Sequence, residues 1–163
     1  MDLLALAQSC APRVAPATTL AIIAVESGGN PHAIGVVGGR LQRQPRSAAE
    51  AVSTASQLQR DRWNYSLGLA QINRANFARL GLTPQSALDP CTNLRAMQTL
   101  LTECHLRARG HPQAAVRRTL SCYYSGNDTT GFRDGYVARV VAAAAARAGP
   151  VRPPGTGLGG APP

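Results

Sequence analysis

The sequence has no lysine; its 17 basic residues are all arginine, set against 8 acidic ones, for a formal charge of +9. Aromatics make up 4% of the chain, and the arginines are scattered from Arg13 to Arg152 without forming a block. A nucleic-acid-binding surface needs a clustered basic face with stacking side chains, so no nucleic-acid partner is expected. The excess charge still calls for an anionic partner, such as an acidic lipid surface or another anionic polymer. No CxxC pair occurs, and His32, His105 and His111 stand at no zinc-type spacing from Cys10, Cys91, Cys104 and Cys122. Neither a metal nor any cofactor is therefore expected. No apolar run approaches the roughly 20 residues of a membrane span. Nor does the N-terminus read as a signal peptide, since Asp2 takes the place of a basic segment and the apolar run 3–7 is short.

An even number of cysteines without metal spacing points to two disulfides and an oxidising compartment, the alternative being four buried thiols. Cys91 and Cys104 lie 13 residues apart on one predicted helix. That is about 20 Å at about 1.5 Å per residue, against a disulfide reach of about 7 Å between Cα atoms. Two pairings remain: Cys10–Cys91 with Cys104–Cys122, or Cys10–Cys104 with Cys91–Cys122. An antiparallel return of the next helix favours the first.

The chain reads as mostly helical. A first helix spans residues 2–10 and stops before Pro12. The next is the centre of the sequence: residues 20–25 are all apolar (LAIIAV), so this helix is buried, with Thr18 or Thr19 as its expected N-cap. It ends in Glu26-Ser27-Gly28-Gly29-Asn30-Pro31, where glycine provides the left-handed stop and proline forbids continuation. A carboxyl at the negative end of a helix in apolar surroundings has its pKa raised, which suits a general acid. Residues 33–44 read as a hairpin about Gly38-Gly39, the one good β candidate. Ser47 and Glu50 form a capping box for a helix to Arg60 that buries Ala51, Ala55 and Leu58. A short helix ends at Leu80, and Thr83-Pro84 opens another turn. Asp89-Pro90 starts a long helix whose stripe is Leu94, Met97, Leu101, Cys104 and Ala108. Residues 112–125 form a helix burying Val116, Leu120 and Tyr123, and residues 133–148 a last one presenting Tyr136, Val140 and Ala144. The expected plan is one α+β, mostly α-helical domain over residues 1–149, then a disordered Pro/Gly-rich tail over 150–163.

Three short segments place polar groups at element ends: ESGGNP from Glu26, GLAQIN from Gly68 and CYYSGN from Cys122. In this order, followed by Tyr136-Val137, they resemble the lytic transglycosylase family over roughly residues 3–148. The similarity is greatest to the specialised transglycosylases of type IV secretion and conjugation systems, in CAPRVAP, ESGGNPHAIGV, GGRLQRQPRSAAEA, NYSLGLAQIN and LSCYYSGN. The resemblance implies a goose-lysozyme-like fold with one β-hairpin region. It also implies cleavage of the β-1,4 bond between N-acetylmuramic acid and N-acetylglucosamine, leaving a 1,6-anhydromuramoyl end. Glu26 matches the catalytic acid/base, beside Ser27. Gln71 and Asn73 match residues lining the sugar cleft, Tyr123 the tyrosine over the catalytic carboxyl, and Tyr136 the tyrosine of the last helix. Ser27, Gln71, Asn73, Tyr123 and Tyr136 are thus the expected substrate-binding set. Departures from the family pattern are Ala70 for Met, Tyr124 for Asn, and Ser125 for a small apolar residue.

The implied partners are peptidoglycan glycan strands and components of a type IV secretion system, the implied compartment is the periplasm, and a monomer is expected. A hydrolytic lysozyme and a non-catalytic murein-binding assembly subunit are the alternatives. Ordinary glycosidases use two carboxyls about 5–5.5 Å or 6.5–9.5 Å apart. Here Glu50 is taken by its capping box, Glu103 is expected to be solvated, Asp89 caps a helix, and Asp61, Asp128 and Asp134 fall in or beside polar loops. Glu26 is therefore expected to act alone, with the substrate's N-acetyl group in place of a second carboxylate. Residues 37–62, with Arg40, Arg43, Arg46, Arg60 and Arg62, are expected to wall the sugar cleft.

Overall fold

The computed structural model describes residues 1–148, so the Pro/Gly-rich tail and the Gly149-Pro150 stop lie outside the described residues. Helix α1, Leu3–Cys10, starts where the Asp2 carboxylate accepts the N–H groups of Leu4 and Ala5 at 2.9 and 3.1 Å. Helix α2, Pro16–Ser27, begins earlier than expected, on Pro16 after Ala15, with no side-chain cap. Proline's fixed φ presets the first helical turn, so neither threonine is needed as a cap. Thr19 is instead fully buried. The middle of α2 buries Ala21, Ile22 and Ile23, and each isoleucine contributes about 2–3 kcal/mol. Gly28 takes the left-handed conformation (φ 61°) that ends the helix.

The expected 33–44 hairpin does not form. Strand β1, Ile34–Val36, pairs antiparallel with β2, Tyr65–Leu67, and β2 pairs with β3, Ile72–Asn73. The return arm is replaced by one side chain. The Gln44 carboxamide accepts from the Ile34 N–H at 2.8 Å and donates to the Ile34 carbonyl at 2.9 Å, satisfying the outer edge of β1 as a strand would. Period-two alternation sends Ile34, Tyr65, Leu67 and Ile72 into the core. The opposite face carries Gly35, Ser66 and Asn73 in register across the three strands.

Helix α3, Ala48–Arg60, is capped by Ser47, whose hydroxyl accepts the Glu50 N–H at 3.2 Å. The Glu50 carboxylate reaches the N–H of Arg46, one residue before the cap, and pairs with Arg43. A 3-10 turn, Arg74–Asn76, leads into α4, Phe77–Leu80, and α5, Pro84–Leu88. Helix α6, Pro90–Arg107, opens on the Asp89 cap and buries Leu94, Met97, Leu101 and Cys104 as the periodicity predicts. It is followed by α7, Pro112–Ser125, where Leu120 is buried but Val116 is 43% exposed.

The expected last helix is two. Helix α8, Thr130–Arg133, ends at Asp134-Gly135, where Gly135 adopts a positive φ of 72°, and α9 covers Tyr136–Ala148. Helix α2 packs along α9 and α1, α6 packs on α7 and α1, and α7 touches α8 and α9. Two disulfides lock this arrangement: Cys10–Cys91 ties α1 to the start of α6 (Cα–Cα 5.2 Å), and Cys104–Cys122 ties α6 to α7 (5.8 Å). Of the two pairings open to the sequence, the antiparallel return selects this one. Among the described residues no helix is long and apolar enough to cross a membrane.

Candidate active site

Glu26 sits on the last turn of α2 and opens into a cleft of about 1030 Å³. Burial is the main reason its pKa rises to about 7, against smaller opposing effects of Tyr136 and Arg139. The apolar surround anticipated in the sequence is real: Ile22 and Ile23 precede it, and Tyr136 and Val137 of α9 lie buried in the same core. A carboxyl raised this far above its ordinary value holds a proton near neutral pH, the condition for a general acid.

Two tyrosines flank this carboxyl. Tyr136 is 1% exposed, its hydroxyl has no full hydrogen bond, and it still lies close enough to favour the ionised form of Glu26. It stands behind Glu26 and does not line the cleft. Its ring stacks on Tyr124 (centroids 4.5 Å apart, planes at 18°), which is 42% exposed and does line it. Tyr123 lines the cleft too, and its hydroxyl donates to the Ala70 carbonyl at 2.6 Å. Burial and the neighbouring Glu26 push both phenols to higher pKa, so they remain neutral donors.

Gln71 follows a tight turn at Gly68 and takes a left-handed φ of 50°, a strained value for a residue with a side chain. Its amide nitrogen is tethered to the carbonyls of Ala33 and Gly68, both at 3.0 Å. The amide oxygen thereby lies over Gly35, where any Cβ would come within 2.6 Å of it. Asn73 caps the 3-10 turn through its side-chain oxygen (3.0 Å to the Ala75 N–H) and donates to Asn64 and Ser66 at 2.8 and 3.2 Å. Gly35, Ser66 and Asn73, the outward row of the sheet, form the cleft floor with Gln71.

Ser27 departs from expectation. It does not line the cleft; its hydroxyl lies 2.8 Å from the Leu69 carbonyl, to which it donates, and accepts the Gly29 N–H at 3.2 Å. As the next residue of the helix it points about 100° round the axis from Glu26, and its bond to Leu69 secures the end of α2 to the Gly68 turn. Residues 37–62 depart as well. Of these only Val37 lines the cleft, and Arg40, Arg43, Arg46, Arg60 and Arg62 do not. Arg43 is held by Glu50 and Arg60 by Gln57, because Gln44 folds this segment back on the β1 edge. The cleft's arginines are Arg79 and Arg107.

Glu103 is solvated as expected, with 40% of its side chain exposed, but it also lines the cleft and pairs with Arg79 at 2.6 Å. Asp134 lines it too and pairs with Arg133 at 2.9 Å. Sequence reasoning also missed Asn93. This fully buried side chain on α6 accepts the Ala70 N–H at 2.8 Å and donates to the Leu67 and Ala87 carbonyls at 2.8 and 2.7 Å. It braces both ends of the turn that presents Gln71. The only sequence signal was an amide one turn before Met97, on the buried stripe.

Residues 4–141 match the Transglycosylase SLT domain family. The chain is 52% identical over 150 residues to the type IV secretion system protein virB1 of Brucella abortus and of Brucella suis, covering 86% of this chain and 63% of theirs. It is 39% identical over 142 residues to the protein virB1 of Agrobacterium fabrum, covering 85% of this chain and 57% of that one. No solved structure matches it. With the matched region running from α1 to α9 and enclosing Glu26, the Gln71 turn and both flanking tyrosines, the chain belongs to the transglycosylase SLT domain family.

Proposed function

We propose that this chain is a peptidoglycan lytic transglycosylase that opens the cell wall for a type IV secretion system, acting in the periplasm. The observation that carries the reading is Glu26, a carboxyl raised to about 7 by burial and lining a cleft of about 1030 Å³. Type IV secretion and the wall-cleaving activity are supported by the names and family of its relatives. The periplasm is supported by the two disulfides, which persist in oxidising compartments.

In this mechanism Glu26 gives its proton to the glycosidic oxygen as the bond to muramic acid C1 breaks. The carbonyl oxygen of the muramyl N-acetyl group closes on C1 and holds the positive charge. The Glu26 carboxylate then takes the proton of the C6 hydroxyl, O6 bonds to C1, and the N-acetyl oxygen leaves. No water is consumed, and Glu26 ends protonated as it began. Gln71 and Asn73 offer their amide oxygens to sugar hydroxyls along the cleft floor, since their amide nitrogens are committed to protein acceptors. Tyr123 reaches substrate with its ring edge, since its hydroxyl is committed to Ala70. Tyr136 acts through Glu26, and Ser27 through the Gly68 turn.

Hydrolysis is the second reading, favoured by Glu103 and Asp134 in the same cleft. Each is engaged by an arginine, which leaves Glu26 as the carboxyl without a countercharge in contact. Mass spectrometry of a murein digest separates the two. The expected muropeptides carry 1,6-anhydro ends, one water lighter than reducing ends; reducing ends would make the protein a hydrolase, and an undigested sacculus would remove the enzymatic reading.

A further inference from the structure

Trp63 is the only tryptophan of the chain, and 45% of it is exposed. An indole is a large, rigid group with an apolar body and a polar N–H, so one exposed beside a depression offers a flat face to an apolar partner. It lies in the loop between α3 and β2, beside a second depression of about 240 Å³ lined by Arg62, Trp63, Asn64, Arg74 and Ala75. Asn64 and Ala75 also line the main cleft, so the depression continues it.

Three features hold this place in shape. Arg62 adopts a positive φ of 61°, a conformation that costs energy for any residue with a Cβ. The Arg74 guanidinium donates to the Trp63 carbonyl at 2.6 Å and lies 5.7 Å over the Tyr65 ring. The Trp63 ring packs against Gly39, where a Cβ would stand 3.6 Å from it. The indole thus packs on Gly39 with nearly half of it exposed, and Arg62 and Arg74 line the depression beside it.

We propose that Trp63, Arg62 and Arg74 form an outlying glycan subsite that receives the strand where it leaves the main cleft. The apolar face of a pyranose ring would lie on the indole, and the arginines would meet a carboxylate of the muramyl lactyl group or of its peptide. Continuity with the cleft through Asn64 and Ala75 sets the occupant, and the charge complementarity of two arginines with an anionic polymer agrees with it. This rests on the glycan-cleaving reading above.

The test uses the full chain carrying Glu26→Gln, which binds without cutting, titrated with N-acetylglucosamine–N-acetylmuramic acid oligomers of increasing length. Because Trp63 is the sole tryptophan, its emission reports this subsite and no other. Oligomers long enough to pass beyond the cleft should shift the emission to the blue and bind about tenfold tighter than those that only fill it. Trp63→Ala on the same background should remove that gain with length, Trp63→Phe should keep part of it, and Arg62→Ala should remove the preference for muramic-acid oligomers over uncharged chitin oligomers of equal length. Trp63 emission unmoved by oligomers that calorimetry shows to bind overturns the subsite while leaving the cleft reading intact. Absence of any oligomer binding, together with an undigested sacculus in the parent protein, overturns both. Should Trp63→Ala fail to fold by circular dichroism, the emission of the intact indole still decides.

Discussion

The Tyr123 hydroxyl donates a 2.6 Å hydrogen bond to the Ala70 carbonyl, linking the end of α7 to the turn that presents Gln71. The other face of the same residue is held by Asn93, which accepts the Ala70 N–H at 2.8 Å. Residue 70 is thus clamped at both peptide groups, which allows the strained φ of Gln71 to persist. Tyr123→Phe should therefore do more than remove a hydroxyl from the site. It leaves a carbonyl without its donor, so stability should fall by about 1–3 kcal/mol and murein cleavage by about tenfold or more through displacement of Gln71. Urea melts and initial rates on purified sacculi measure the two effects.

Glu26 makes both activity and stability depend on pH. As a general acid it must be protonated, so cleavage should decline as pH rises through about 7. Its folded pKa lies above the ordinary carboxyl value of about 4.5, so the native state binds the proton more tightly than the unfolded chain. Its contribution to stability is complete below 4.5 and is lost as pH rises to about 7. The loss is about 3 kcal/mol for a shift of this size. Glu26→Gln should abolish cleavage, keep murein binding and flatten this part of the pH–stability curve. Thermal melts from pH 4 to pH 8 on both proteins test it; parallel curves would mean that Glu26 is not buried as described.

Asn93→Leu is expected to be among the most damaging single changes away from Glu26. It removes the partner of three buried backbone groups, those of Ala70, Leu67 and Ala87. Each group left unpaired costs about 1–3 kcal/mol, so a loss of about 4 kcal/mol or more follows. Denaturant unfolding gives the value, and hydrogen exchange at the Ala70 amide locates it.

Gly35→Ala should affect function more than folding. The added methyl would stand 2.6 Å from the Gln71 amide oxygen, whose nitrogen is tethered at two carbonyls. Either the tethers break or the amide leaves the cleft floor. Activity should drop about tenfold or more with a loss of stability below about 2 kcal/mol. Rates and melts on the same preparation separate these.

The two disulfides should differ in worth. The Cys10–Cys91 bond spans 81 residues and the Cys104–Cys122 bond 18. Loop-closure entropy assigns them about 4.5 and about 3 kcal/mol respectively. Replacing the first pair by serine should lower the melting temperature more than replacing the second, and four free thiols in non-reducing peptide mapping would contradict both bonds.

What the sequence determined by itself was local. Ser47 and Asp89 cap the helices they precede as read, because the cap and its N–H lie within a few residues of one another. Glycine at position 28, the apolar run before Glu26 and the stripe on α6 likewise need only neighbouring residues to be read. They sufficed to find the buried helix, its terminal carboxyl and the mostly helical α+β plan, and the ordered motifs sufficed for the family. The sheet was another matter. A hairpin across Gly38-Gly39 satisfies local turn rules, but Tyr65 and Leu67 bury two large side chains beside Ile34, and a single Gln44 amide closes the remaining edge. Nothing near residue 34 in the chain announces that competitor. The same holds for the site: Glu103, Arg79 and Asp134 enter the cleft, and Asn93 and Tyr123 clamp Ala70, only once α6 and α7 are folded over the Gly68 turn. Hydrogen bonds of this kind have a range of a few ångströms in space and none along the sequence, so tertiary packing alone decided them.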